Sequence, residues 1–394
     1  MHTNDQHRCT VCASKDIYTF IAIEQVPVFC NVLLPTYEEA IAAQKANLRM
    51  NFCRECRHVF NSHYDPELLE YTQEYETSLD FSPRFQEYAK SLAHYLIDRY
   101  NLRGKDIIEI GCGKGEFLKL ICTLGTNRGV GFDLSYEPAR NPTDNNNVTF
   151  IQDYYSELYS HYKANLICCR HALEHIQFPK AYLENIRRVI STQRDIVVFF
   201  EVPNVLFTLQ DLGIWDLIYE HCSYFSTSSL TRVFSLSGFE VLNLREVFEG
   251  QYLCVEARPI THTKDSTHDH SGDSTNLEDH VSTFEENYYK KVNLWKHKTD
   301  TIKQKNQRAV IWGSGSKGVT FLNIIKAQKY IEYAVDINPH KQGKYVPGTG
   351  QKIVPPEFLK GYRPDIIVIM NPIYQREIKQ LLTEMNLSTE LLLV

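Results

Sequence analysis

Two periods of apolar residues alternate through the middle of the chain. Ile107-Ile108-Glu109-Ile110, Gly129-Val130-Gly131-Phe132, Leu166-Ile167-Cys168-Cys169, Asp195 to Glu201 and Tyr252 to Glu256 are short runs of strand length. Between them, Gly115 to Leu124, Leu183 to Ile190 and Leu230 to Ser237 place apolar residues at helical steps. Strands separated by helices predict a parallel sheet whose ligands lie at its carboxyl edge. Phe85, Tyr88, Ala89, Leu92, Tyr95 and Leu96 recur every three or four residues, which predicts an amphipathic helix over Pro83 to Tyr100 leading into this unit. A second alternating unit follows a helical stretch at Phe284 to Thr299. Its strands are Ala309 to Trp312, Tyr333 to Asp336 and Asp365 to Met370, and it ends in a helix and a short strand at Leu391 to Val394.

The flanks differ. The first residues show little helical periodicity and carry Pro27 and Pro35, as expected of a small β-rich module. Residues 259–281 are polar and nearly devoid of apolar side chains, so a linker is expected there. His262, His268 and His270 in it have no cysteine or fixed framework beside them, and no metal tract is read. The expected domains are therefore a module over 1–75, an αβ unit over 76–258, the linker, and a second αβ unit over 282–394.

Composition narrows the class. The chain has 394 residues, long enough for several cores and for an enzyme. No apolar run approaches the ~18–20 residues of a membrane span, and the first residues have neither a basic start nor an apolar core, so a cytoplasmic protein is expected. A formal charge of −6 argues against wholesale nucleic-acid binding, which shows as a basic excess. Eleven cysteines, an odd number, fit reduced thiols plus a metal better than a disulfide framework. Of the 18 glycines, seven fall between Gly104 and Gly131 and seven between Gly313 and Gly361, which implies two separate ligand-type loops.

Cys9-Thr-Val-Cys12 and Cys53-Arg-Glu-Cys56 are two knuckles, each presenting two thiolates from one turn. Together they suit a closed, structural Zn²⁺ site, with an insertion looping out between them. Glu109-Ile-Gly111-Cys-Gly113-Lys-Gly115 follows a buried strand and opens a helix. This ExGxGxG spacing is the S-adenosylmethionine arrangement rather than the GxGxxG of dinucleotide folds. Asp133, at the end of the next strand, stands where a carboxylate would hold the ribose diol, and Asp153 is the candidate beside the adenine amino group. The expected fold is thus a class I S-adenosylmethionine methyltransferase Rossmann-like domain between a zinc module and a C-terminal Rossmann-like αβ domain.

This order of domains, with Tyr71-Thr-Gln-Glu-Tyr75-Glu-Thr-Ser78, Arg170-His-Ala-Leu-Glu-His175-Ile, Tyr219-Glu220-His221-Cys-Ser-Tyr-Phe and Asn371-Pro-Ile-Tyr374, resembles the nucleotide-sugar C-methyltransferases of deoxysugar pathways. The resemblance spans nearly the whole chain. It implies a substrate in which a C4 ketone of an NDP-linked deoxyhexose acidifies the C3 proton, a histidine removes that proton, and the resulting enolate attacks the methyl group of S-adenosylmethionine. Carried onto this sequence, the Glu-His pair falls on Glu220 and His221, the N-terminal tyrosine on Tyr75 and the His-Ile histidine on His175. Tyr219 adjoins Glu220 directly, whereas the family often has Tyr-x-Glu-His.

Residue chemistry points the same way. Making a carbon nucleophile from a keto-sugar needs a base, for which His221 is suited, and stabilisation of the developing oxyanion. Glu220 would orient or charge-stabilise His221 or bind a sugar hydroxyl, while Tyr75 and His175 would donate to substrate oxygens. Gly313-Ser-Gly315-Ser-Lys317-Gly318 with Asp336 alone suggests NAD, but the resemblance assigns this loop to the substrate face or to scaffold. The substrate is expected where three domains meet, with dTDP, GDP and CDP left open as the nucleotide, and the chain is expected to be a monomer. The nearest alternative is an O- or N-methyltransferase on the same scaffold, since the glycine motif identifies the cofactor and not the acceptor. A nucleic-acid module using Arg54, Arg57 and His58 is disfavoured by the acidic balance.

Overall fold

A computed structural model describes residues 8–140, 147–191, 193, 195–260, 277–326 and 330–394. His262, His268 and His270, and most of the expected linker, lie outside the described residues. The largely buried strands β1 (Ile17–Pro27), β2 (Lys45–Cys53) and β3 (Val59–Asn61) form an antiparallel sheet in the N-terminal module. The helix Pro83–Tyr100 follows, with Pro83 at its first turn, Ser82 Oγ accepting from Phe85 N at 3.2 Å, and Asn101 in the left-handed region closing it.

The central unit runs through β4 (Asp106–Ile110), β5 (Arg128–Phe132), β6 (Val148–Ile151), β7 (Leu166–Arg170) and β8 (Val197–Pro203). After β8 the chain leaves the sheet and returns through β9 (Ser223–Tyr224), the helix Thr227–Leu236, β10 (Phe239–Val247) and β11 (Tyr252–Pro259). The seven-stranded sheet has the order β10-β11-β8-β7-β4-β5-β6. Its first five strands are parallel, and β11 runs antiparallel between β8 and β10, which is the class I methyltransferase topology. The order reverses between β4 and β7, and their carboxyl ends open the crevice in which such sheets bind ligands.

In the C-terminal unit β12 (Ala309–Trp312), β13 (Ile331–Val335), β14 (Lys352–Val354), β15 (Ile366–Ile369) and β16 (Glu390–Leu393) form a five-stranded parallel sheet in the order β14-β13-β12-β15-β16. The helix before it spans Leu277–Gln304, longer than the apolar stretch Phe284 to Thr299 suggests. Leu277, Val281 and Ile302 extend the same buried stripe, so the helix begins inside the segment 259–281 expected as a linker.

The units share cores. Phe20 of β1 meets Phe284 of the long helix edge-on at 5.8 Å, and Phe321 of the C-terminal unit takes Trp215 at 5.0 Å and Trp295 at 5.2 Å. A second core joins Cys9, Val11, Cys53 and Phe60 to Phe132, Phe225 and Phe234 of the central unit. The N-terminal sheet is completed from the central unit, because β9 pairs with β3 through Val59–Tyr224 and Phe60–Ser223. Among the described residues no helix is long and apolar enough to cross a membrane.

Candidate active site

The turn after β4 is built from glycine because side chains would not fit. Gly111 has φ +70° and a Cβ there would lie 2.8 Å from Ala172 Cβ, while Gly115 has φ +86° and would drive a Cβ to 2.4 Å from the Phe150 ring. The bare loop backbone can therefore approach a ligand closely. Asp133, at the end of β5, ties this loop down. Its Oδ2 accepts from Gly113 N at 2.7 Å, and its Oδ1 accepts from both the N–H and the hydroxyl of Ser135 at 2.7 Å. Glu109 is buried, with Oε2 lacking a hydrogen-bond partner, and burial pushes its carboxyl up to about 8. An orphaned buried acid beside bare backbone fits a cationic sulfonium cofactor with an ammonium group. Asp153 sits after β6, its carboxylate taking Tyr154 N–H at 2.7 Å and the Tyr159 hydroxyl at 2.6 Å, which together hold it below the usual range.

A segment with no regular structure, residues 71–78, is strapped across this loop. Lys114 Nζ donates to Gln73 O at 3.0 Å and Ser135 O at 2.7 Å, and Gln73 Nε2 donates to Tyr136 O at 3.1 Å. The strap brings Tyr71 and Tyr75 to the loop after β7, with ring centroids 5.8 and 6.4 Å from His175. His175 and His221 stand edge to face at 4.8 Å. Three distant segments thus converge around His175, and Ala172 of the same loop abuts the glycine turn. His175 Nδ1 lies 3.0 Å from Glu220 O and 3.0 Å from the Tyr71 hydroxyl. A carbonyl only accepts, so Nδ1 carries the ring proton and Nε2 presents a lone pair. With that tautomer Nε2 can only accept, whereas the sequence suggests a donor to substrate oxygens. Burial lowers it to about 4, and burial with His175 nearby holds His221 well below its usual value.

Glu220 and His221 point apart. Glu220 is fully buried and accepts from Cys30 N at 3.0 Å, with the Tyr75 hydroxyl and the Asn31 main chain also facing it; burial pushes it up to about 7. Tyr219 is structural: its hydroxyl donates to His63 O at 3.1 Å and accepts from Asp65 N at 2.9 Å. Sequence reasoning missed Glu174, which is buried and whose carboxylate shares a 4.8 Å cluster with ring nitrogens of His175 and His221. Its place in the sequence, directly before the candidate His175, was the available signal.

The thiols of Cys9, Cys12, Cys53 and Cys56 lie within 4.8 Å of one another, Cys9–Cys56 at 3.4 Å and Cys12–Cys53 at 3.6 Å. Tetrahedral Zn–S bonds of about 2.3 Å place sulfurs about 3.8 Å apart, so the donor set fits zinc. In the C-terminal unit, Asp336 repeats the Asp133 arrangement. Its Oδ2 accepts from the N–H of Ser314 at 2.9 Å and its hydroxyl at 2.7 Å, and its Oδ1 accepts from Asn338 N at 2.9 Å. Lys317 pairs with Asp216 at 2.8 Å.

The sheet order and the glycine loop define an S-adenosylmethionine-dependent methyltransferase. Residues 82–244 match the family model of a methyltransferase domain, and residues 269–390 match that of a C-methyltransferase C-terminal domain. C-methyltransferase NovU of Streptomyces niveus is 25% identical over 400 aligned residues, covering 94% of this chain and 90% of that protein. The chain thus carries a methyltransferase domain followed by a C-methyltransferase C-terminal domain. Similar solved structures include an S-adenosylmethionine-dependent methyltransferase from Clostridium acetobutylicum, with 12% identity, coverage of 44% of this chain and 92% of that one, and a TM-score of 0.35. Another is magnesium protoporphyrin IX methyltransferase from Synechocystis with bound SAH, with 14% identity, coverage of 47% and 89%, and a TM-score of 0.34.

Proposed function

We propose that this C-methyltransferase acts at C3 of an NDP-4-keto-deoxyhexose, with His221 as the base and with structural zinc held by Cys9, Cys12, Cys53 and Cys56. The observation that carries the reading is the convergence of His221, His175, Tyr71 and Tyr75, the tyrosines lying on the strap that Lys114 ties to the glycine loop. S-adenosylmethionine, when bound, supplies a methyl group already activated on a sulfonium, so the protein's task is alignment and deprotonation.

Glu109, Gly111, Gly113, Gly115, Asp133 and Asp153 are the residues assigned to the cofactor. A base must be neutral to take a proton, and burial keeps the His221 ring neutral at physiological pH. His221 takes the proton from C3, the electron pair moves toward the C4 oxygen, and the Tyr71 hydroxyl is the donor available to that developing charge, joined by Tyr75 once it turns from Glu220. The His175 lone pair suits a sugar hydroxyl. Glu220 acts from behind, holding Tyr75 and the Cys30–Asn31 main chain. As the carbon–carbon bond forms the methyl–sulfur bond breaks, and His221 returns its proton to solvent. Zinc would hold the N-terminal module together without entering the chemistry.

Incubation with a panel of 4-keto sugar nucleotides and S-adenosylmethionine, followed by mass spectrometry, should show the gain of one methylene. Carbon NMR should show a new quaternary carbon bearing the methyl. An O-methyl signal, or no turnover of any 4-keto sugar nucleotide, refutes the assignment.

A further inference from the structure

The carboxylate best placed to serve His221 is not its sequence neighbour. Glu174 lies in the short turn Leu173–His175 after β7 and is 2% exposed, and its Oε2 is buried with no hydrogen-bond partner. Leaving such a group unpaired costs on the order of 1–3 kcal/mol, so its retention calls for a use. Its carboxylate and the ring nitrogens of His175 and His221 all lie within 4.8 Å of one another. His175 already spends Nδ1 on Glu220 O and the Tyr71 hydroxyl, whereas no hydrogen bond to the His221 ring competes for Glu174 among the described residues. Catalytic hydrogen bonds commonly tighten only when substrate is bound.

Glu174 is backed in turn. His171 Nδ1 is 3.8 Å from Glu174 Oε1, and its Nε2 is 3.0 Å from Glu201 Oε1. Arg170 Nε fixes Glu201 at 2.8 Å, so the far end of this chain stays ionised. His171 reaches this position with φ +52°, a left-handed conformation costing about 1 kcal/mol or more in a residue other than glycine. Strain of that kind is kept where the surroundings impose it.

We propose that Glu174 is the positioning residue for His221, holding one ring nitrogen so that the other faces the acceptor carbon and supplying the counter-charge when the ring takes the proton. The chain Arg170, Glu201 and His171 holds Glu174 from behind. The inference rests on His221 being the base. In the step, the C–H proton moves to the free imidazole nitrogen, the carbon's electron pair moves to the carbonyl, and Glu174 remains an acceptor from the other nitrogen. The groups facing Glu174 are His171 and His175 on its own loop, Cys169 on β7, Glu201 on β8, His221 and Cys222 from the segment before β9, and Tyr71 from the strap. Burial pushes the Glu174 carboxyl up to about 7, which makes the pairing pH-dependent.

The test is long-range ¹H–¹⁵N spectroscopy on the full, zinc-loaded chain labelled in histidine, with His221 assigned by the signals lost in His221→Gln. The native ring should show one tautomer. In Glu174→Gln it should become a tautomer mixture, and turnover should fall roughly 10²-fold with unchanged affinity for S-adenosylmethionine. Glu174→Asp should restore part of the single-tautomer signal and guards against a folding artefact. An unchanged His221 spectrum in Glu174→Gln overturns the proposal. So does a second equivalent of zinc that disappears in that variant, which would make the cluster a metal site. The tautomer is read without any acceptor. A shifted spectrum with no methylation of 4-keto sugars would therefore refute the substrate assignment and leave the Glu174–His221 pairing intact.

Discussion

Glu76 Oε1 accepts a hydrogen bond from Asn338 Nδ2 at 2.9 Å across 262 residues of sequence, while its Oε2 lies 2.8 Å from Arg140 Nη1. One buried carboxylate thus joins the strap, the central unit and the C-terminal unit. Burial alone would raise it, but the Asn338 amide and then Arg140 more than offset this and hold it below the usual range. Because the folded value is depressed, its contribution is present above about pH 4.5 and lost as pH falls through the folded value. Glu76→Gln should cost roughly 1–3 kcal/mol in denaturant unfolding at neutral pH and nothing at acid pH. An equal loss at both would deny the ionic role.

Stability should also fall on the alkaline side. Glu109 at about 8, and Glu174 and Glu220 at about 7, are all raised by burial, so the folded chain holds protons that the unfolded chain has released. Unfolding free energy should therefore decline between about pH 6.5 and 8, by at most about 1.4 kcal/mol per pH unit for each carboxyl. Below about pH 6.5, His58, His175 and His221, kept neutral by burial, oppose the trend because they charge on unfolding. Glu109→Gln should remove the part of the decline that lies between about pH 7 and 8; an unchanged slope there assigns it to other groups.

His221→Asn should lower turnover by roughly 10²–10⁴-fold while calorimetry shows S-adenosylmethionine binding as before. The variant should also lose exchange of the acidic sugar proton with deuterated solvent. Native turnover would remove His221 from the base role.

Asp133→Ala removes a carboxylate that closes the glycine loop onto Ser135 as well as the candidate ribose partner. Cofactor affinity should fall by roughly 10-fold or more, with melting lowered too, because two main-chain donors lose their acceptor. Unchanged affinity would mean that the ribose is held elsewhere.

Metal analysis should find about one zinc per chain, absent in Cys53→Ser. Removing it with a chelator should lower the melting temperature by several degrees and abolish methylation, because β3 pairs with the strand that directly follows His221 and Cys222. Full activity in zinc-free protein would sever that connection.

Local patterns were legible in the sequence. The run Glu109 to Gly115 leaves a strand, turns and caps the helix that starts at Glu116, and the helix Pro83–Tyr100 starts at its proline and is closed by Asn101. Cys9, Cys12, Cys53 and Cys56 gather as the knuckle spacing implied. What escaped was long-range pairing. β10 alternates apolar Phe239 and Val241, then Leu242 and Leu244, with polar residues, but a bulge between Val241 and Asn243 breaks the period, and pairing with β11 defines the strand. The Lys114–Gln73 contact, the turning of Glu220 toward Cys30 and the approach of Glu174 to His221 join segments that no local period connects.

The two-residue strand Ser223–Tyr224 sets an order of assembly. On the ribosome, the sheet that starts the chain waits for its last strand until most of the central unit has emerged. A chain truncated before Ser223 therefore leaves an open β edge, and exchanging the N-terminal module between relatives requires transplanting the segment around His221 with it.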